Sequence, residues 1–202
     1  GDEIVLERNP YYRRAAATGP DRAILRFVEP TYEQYAAGRI DLCRIEDRGD
    51  TMLRHPDEGF VRQFLSTYFL AFDCARPPFN DVQLRRALAH AVDRRALVET
   101  CWAAVQKPAD GGVVPPGMPG HSPELGLRFD PRAARQILDA IAPPGQSPIL
   151  AALPGFGGVP RFLADAWRDY LDLDVVIVED VEYEELLAGL HSGVFQMALL
   201  GC

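Results

Sequence analysis

Branched and aromatic runs alternate with turn-rich stretches along the first third of the chain. "EIVLERN" and "RAILRFV" read as strands, joined by the turn-rich "NPYYRRAAATGPDR". A helix should open at Thr31, where Thr31-x-x-Gln34 fits a capping box, and end near Gly38. "RIDLCRI" then reads as a short strand, and residues 47–62 as loop with a helical turn. "RQFLSTYFLAFD", residues 62–73, is aromatic and branched throughout and is the best strand of this half.

Two prolines follow, and the pattern changes to a helical period. Pro77 and Pro78 fix φ and predict an extended approach. Asp81 is placed to cap a helix whose apolar stripe runs through residues 82, 84, 88, 91 and 92. Asp93 reads as a second cap, with a second helix over about 94–105. Residues 107–127 are rich in proline and glycine and predict a long ordered loop or a linker. Asp130 as N-cap and Pro131 at the first position then restart helix.

The last third is more regular. Strand "SPILAAL" precedes helix "PRFLADAWRDYL", strand "DVVIVE" precedes helix "YEELLAGLHSG", and strand "FQMALLG" closes. Such alternation implies βαβ units, parallel strands and right-handed crossovers, so the fold class is α/β.

Composition narrows the functional classes. The 202 residues can bury a real core, and 48% hydrophobic with 25% charged residues is ordinary for a globular chain. A net charge of −8 argues against a broad contact with nucleic acid or anionic lipid. No run reaches the ~18–20 apolar residues of a membrane span. The acidic start "GDEIVLERN" is no signal peptide, which fits a mature fragment. Cys43, Cys74, Cys101 and Cys202 form no CxxC and no Cys/His cluster, so zinc is not expected. The four could pair in three ways. A chain of this size needs no staples, so most are expected to be buried free thiols.

The search for reactive groups returns little. "GFGGVP", residues 155–160, lies between a strand and a helix but lacks both phosphate-loop spacings, and reads as a flexible turn. His55, His90, His121 and His191 are isolated. The acids of "EDVEYEE" suit the first turn of a helix better than a cation. "RRALAHAVDRR" carries acids and an apolar stripe and reads as a solvated helix face. No catalytic constellation assembles; neither a metal nor a cofactor is expected, and the chain is not expected to be an enzyme.

The order of the segments carries more information than any one of them. "LERNPYY", "AGRIDL", "FDCARPPFND", "LRRALAHAVDRRALV", "GVVPPGMPG" and "FDPRAARQIL" occur in that order. The whole chain thereby resembles the family 5 extracellular solute-binding proteins, the dipeptide-, oligopeptide- and nickel-binding components of ABC importers. The resemblance implies a type II periplasmic-binding-protein-like lobe, with a mixed, mostly parallel sheet flanked by helices on both faces. Residues 1–202 would form a single lobe. About 1–45 would be strands bordering a first lobe, and about 46–202 a second-lobe α/β domain with a Pro/Gly-rich loop at 107–127. The earlier part of the first lobe and the strands after Cys202 would be missing.

By the same resemblance the ligand-facing positions are Arg44 and Ile45, then Phe64, Ser66 and Tyr68, then Leu199, Gly201 and Cys202. Peptide-binding members often place a base on the returning strand, whereas here Met197–Leu200 carries no charge. A sugar, a modified peptide or a metal chelate is therefore as much expected as a plain peptide. The implied role is the substrate-binding component of an importer, capturing a small solute by hinge closure. Its partners would be the solute and a membrane permease. The protein would be an extracellular or periplasmic monomer, lipid-anchored in its longer form. The alternative is the ligand-sensing domain of a cytoplasmic transcription regulator with the same fold, which the unpaired cysteines slightly favour.

Overall fold

The computed structural model describes residues 3–12, 19–27, 31–43, 57–59, 65–102, 106–123, 125–141 and 144–201. The chain divides into two compact units, Gly1–Phe60 and Val61–Cys202.

In the first unit β1 (Glu3–Glu7) pairs antiparallel with β2 (Arg22–Arg26), Val5 opposite Ile24. Arg8 joins the strand ends by bonding Asp21 at 2.7 Å. Helix α1 (Thr31–Ala36) follows. Its C-terminus closes as expected at Gly38, whose φ of 67° is open to glycine. The Gly38 and Arg39 amides donate back to the carbonyls of Tyr35 and Gln34, a Schellman arrangement. The Thr31 side chain of the expected capping box lies outside the described residues. The strand expected at "RIDLCRI" does not form over Arg39–Cys43, and residues 44–45 are outside the description. No strand among the described residues pairs with this segment, and a lone extended run has no ladder to join.

The second unit is built on four strands in the order β3 (Tyr68–Phe72), β6 (Met197–Gly201), β4 (Ile149–Ala152), β5 (Val176–Val178). β4 is parallel to both β5 and β6, and only β3 runs antiparallel, against β6. The sheet is thus mixed and mostly parallel. β3 starts at Tyr68 rather than near residue 62; Leu65–Thr67 lie outside any strand. Among the described residues β6 is the strand's sheet neighbour, and it pairs with it over Tyr68–Phe72.

Side-chain alternation divides the core between the two sheet faces. Leu150, Ala152, Met197 and Leu199 face α2 (Val82–His90), α4 (Pro131–Asp139) and α5 (Val159–Leu171). Ala151 and Ala198 face Leu186 of α6 (Tyr183–Ser192), with Val181 and Phe195. Helix α3 (Arg94–Trp102) buries Val98 and leans Leu97, Cys101 and Trp102 on the first cluster. Fully burying Leu84, Leu88 or Met197 contributes about 1.5–3 kcal/mol each.

The prolines do not give the extended approach expected of them. The Pro77–Pro78 bond is cis, and Cys74–Asn80 forms turns in which the Asn80 amide donates to the Arg76 carbonyl at 2.9 Å. Asp81 does cap α2, accepting from the Gln83 amide at 2.7 Å. The stripe is Leu84, Ala87, Leu88 and Ala91, all buried, with Val92 beyond it. Val82 is half exposed, because two residues before Leu84 is roughly 200° around a helix. Asp93 caps α3 through the Arg95 and Ala96 amides. α3 ends at Trp102; residues 103–105 lie outside the description.

The Pro/Gly-rich stretch is an ordered loop tied to the helices before it. Arg94 donates to the Leu127 carbonyl at 2.6 Å, the Asp130 amide to the His90 carbonyl at 2.8 Å, and Gly126 to Asp110. His90 and His121 each hold a loop carbonyl, of Arg128 and Val114, through Nδ1. Asp130 then caps α4 through the Ala133 amide, with Pro131 in the first turn. Glu184 and Glu185 occupy the first turn of α6.

The cysteine expectation needs correction. Cys43, Cys74 and Cys101 are free, but Cys74 is exposed and the other two are only half-buried. Cys74 sits in the turn that leaves β3, outside either apolar cluster. Cys202 is not described.

Candidate functional site

In open α/β sheets, ligands gather outside the carboxyl ends of the parallel strands. Here β4 and β6 point their carboxyl ends to one edge of the sheet. β3 runs the other way, so its first residue, Tyr68, lies at that same edge opposite Gly201. Two of the positions expected from sequence are therefore direct cross-strand neighbours.

Tyr68 keeps 49% of its surface exposed. Its ring lies 5.6 Å from that of Trp102, the last residue of α3, at an interplanar angle of 33°. Phe156 meets it edge-on at 5.4 Å. Phe156 comes from the loop after β4, flanked by Gly155 and Gly157 at φ of 94° and 53°, conformations that favour glycine. That geometry turns the phenyl inward, where it is 7% exposed. "GFGGVP" is thus the turn expected, but it delivers a ring to the sheet edge.

The remaining expected positions divide three ways. Ser66 is exposed on the approach to β3. Leu199 is corrected: it points to the same face as Gly201 but two residues further in, and it is 4% exposed within the main core cluster. Arg44, Ile45, Phe64 and Cys202 lie outside the described residues. Sequence reasoning missed Trp102 and Phe156, which are remote in the chain from Tyr68. Their signal was positional: one ends a helix, the other follows a parallel strand. The proline-rich loop also comes near, since a side chain at Gly117 would lie 3.9 Å from Leu65.

The electrostatics of this edge are quiet. Met197 and Ala198 are fully buried, and no charge stands on the described part of the returning strand. Burial pushes the Cys101 thiol up from its ordinary pKa, which keeps it protonated and a poor nucleophile. At the far end of β3, burial works to raise the Asp73 carboxyl. The Arg76 guanidinium at 2.9 Å and the Ala75 amide outweigh it and hold Asp73 below its ordinary value. In the first unit the Tyr35 hydroxyl donates to Glu58, which raises the phenol. Among the described residues no three His, Cys, Asp or Glu side chains gather as a metal site would require. What the edge offers is an aromatic contact surface with backbone beside it.

Residues 1–151 match the family model of the bacterial extracellular solute-binding proteins, family 5, middle part. The chain is 28% identical to the periplasmic oligopeptide-binding protein OppA of Escherichia coli K12, over 99% of this chain and 40% of that protein. It is 29% identical to heme-binding protein A of Haemophilus influenzae, over 58% of this chain and 23% of that one. The solved structure of Burkholderia pseudomallei OppA superimposes with a TM-score of 0.73 at 21% identity, covering all of this chain and 43% of its own. The fold is that of the type II periplasmic binding proteins. The chain spans about two fifths of the length of the OppA relative.

Proposed function

This chain belongs to the family 5 bacterial extracellular solute-binding proteins, and from that premise we propose that it forms one wall of a solute receptor serving an ABC importer. The half-exposed Tyr68 at the carboxyl edge of the sheet carries the reading at the level of the site. Ser66, Tyr68 and Gly201 contribute to that wall, and the resemblance gives Arg44, Ile45, Phe64 and Cys202, outside the described residues, a part in solute binding as well. About the first 45 residues border the other lobe, and the rest build this one.

The mechanism needs no covalent step. A solute touching both lobes has more contacts in the closed state than in the open one. It therefore shifts the equilibrium toward closure, by no more than that difference in affinity. The permease recognises the closed form. The receptor acts as a monomer outside the cytoplasm, held to the membrane by a lipid in its longer form, and it is not an enzyme. The names of the Escherichia coli and Haemophilus relatives are those of binding proteins, one of them periplasmic, and they favour this reading over a cytoplasmic regulator. Peptides are the first class to try. The uncharged returning strand admits neutral sugars and chelates beside them.

Thermal shift on the whole gene product tests this, with a panel of two- to five-residue peptides, oligosaccharides, haem and metal chelates. One class should stabilise the protein, by about 2.7 kcal/mol at a hundredfold excess over Kd. No shift with any class contradicts the receptor reading.

A further inference from the structure

We propose that Gly201 seats the Tyr68 ring, and that the seated ring selects a solute presenting a flat, uncharged face; this rests on the receptor reading above. Gly201 is not among the glycines with positive φ, so its backbone would accept any residue. Its lack of a side chain matters for space instead. A Cβ there would lie 2.9 Å from Cδ1 and 3.0 Å from Cε1 of Tyr68, closer than carbon atoms tolerate. The ring can rest against the backbone of β6 only because position 201 is empty.

Two further rings limit its movement. Trp102 leans on it at 5.6 Å and Phe156 meets it edge-on at 5.4 Å. Phe156 is itself buried, so it cannot yield easily. A ring bounded on three sides has less rotamer freedom to lose, and a solute that stacks on it pays less of that entropy. Half of the Tyr68 surface is still open. None of the three groups that seat it carries a charge. The matching chemistry is a flat apolar face, which an aromatic peptide side chain and a sugar ring both supply. Tyr68 is the contact, and Gly201 is a positioning residue.

Calorimetry on the whole gene product reads this with three probes: alanyl-phenylalanyl-alanine, trialanine and cellotetraose. The phenylalanine peptide should bind about threefold to tenfold more tightly than trialanine. Tyr68→Leu should bring that ratio near one, and Tyr68→Phe should keep it. Gly201→Ala should also collapse the ratio by displacing the ring. In the Tyr68→Leu background Gly201→Ala should add nothing, the non-additivity expected of a coupled pair. If cellotetraose is the one that binds, its Kd should respond to the same variants and identify a sugar face. A purely structural glycine would lower Tm without moving the ratio between two ligands. Should Gly201→Ala fail to fold, Tyr68→Leu still decides. An unchanged ratio in Tyr68→Leu, or additive effects in the double variant, overturns the proposal and leaves the receptor reading standing. Folded protein that binds none of the three probes, but is stabilised by haem or a metal chelate, overturns the flat-face proposal and leaves the receptor reading standing.

Discussion

Trp167 joins two of the helices that cover one face of the second unit's sheet. It lies on α5, the helix that starts just after the Phe156 loop, and it is 1% exposed. Its indole Nε1 donates to the carbonyl of Leu88 at 3.1 Å. Leu88 sits in the last turn of α2, where carbonyls run out of backbone donors. Trp167→Phe removes the donor and part of the ring. Leaving the buried carbonyl unpaired costs about 1–3 kcal/mol. A residual void on the order of 40 Å3, at ~24 cal/mol per Å3, costs about 1 kcal/mol more. The sum, about 2–4 kcal/mol, corresponds to a fall in Tm on the order of 4–16 °C for a chain of this size. Far-UV circular dichroism is the appropriate probe, because the substitution removes a fluorophore. A Tm within about 1 °C of the parent would refute the claim that this indole joins α5 to α2.

Other substitutions test other parts of the structure. Gly189→Ala in α6 should gain up to about 1 kcal/mol from helix propensity alone. The new methyl would meet the buried Phe195 ring at 2.3 Å, so the net result should be a loss of about 1–3 kcal/mol, read as a lower urea midpoint. Asp81→Ala should cost about 1 kcal/mol through the lost cap on α2, and Asp81→Asn much less, by the same measurement. Asp73 is held below its ordinary pKa, so its folded-state value is depressed relative to the unfolded chain. The stability it contributes is present above the unfolded value, about 3.9, and is lost as pH falls below it. Asp73→Asn should lower stability at neutral pH, where that contribution is fully present, and flatten the fall in stability as pH drops through the folded value of Asp73.

The alternating last third was legible because its strands read as short apolar runs between helical patterns, and "SPILAAL", "DVVIVE" and "FQMALLG" each gave a strand. Asp81, Asp93 and Asp130 were legible because a capping side chain needs only local neighbours. Leu199 was not. Alternation gives the face a residue points to, but depth along the strand decides whether that face is covered. Gly201 lies at the rim, and Leu199, on the same face, lies two residues inward. Nor was the Tyr68 seat legible, since Trp102 and Phe156 reach it through tertiary packing that no local spacing encodes. "RIDLCRI" has strand composition, but composition does not supply a partner strand.

Hydrogen exchange on the whole gene product, with and without a solute that raises its Tm, tests the central claim most directly. Protection should rise on solute binding in the segments carrying Ser66–Phe72 and Met197–Gly201 and in the Phe156 loop, with α4 unchanged. Protection confined to other surfaces, with these segments unaffected, would contradict the placement of the solute at this edge of the sheet.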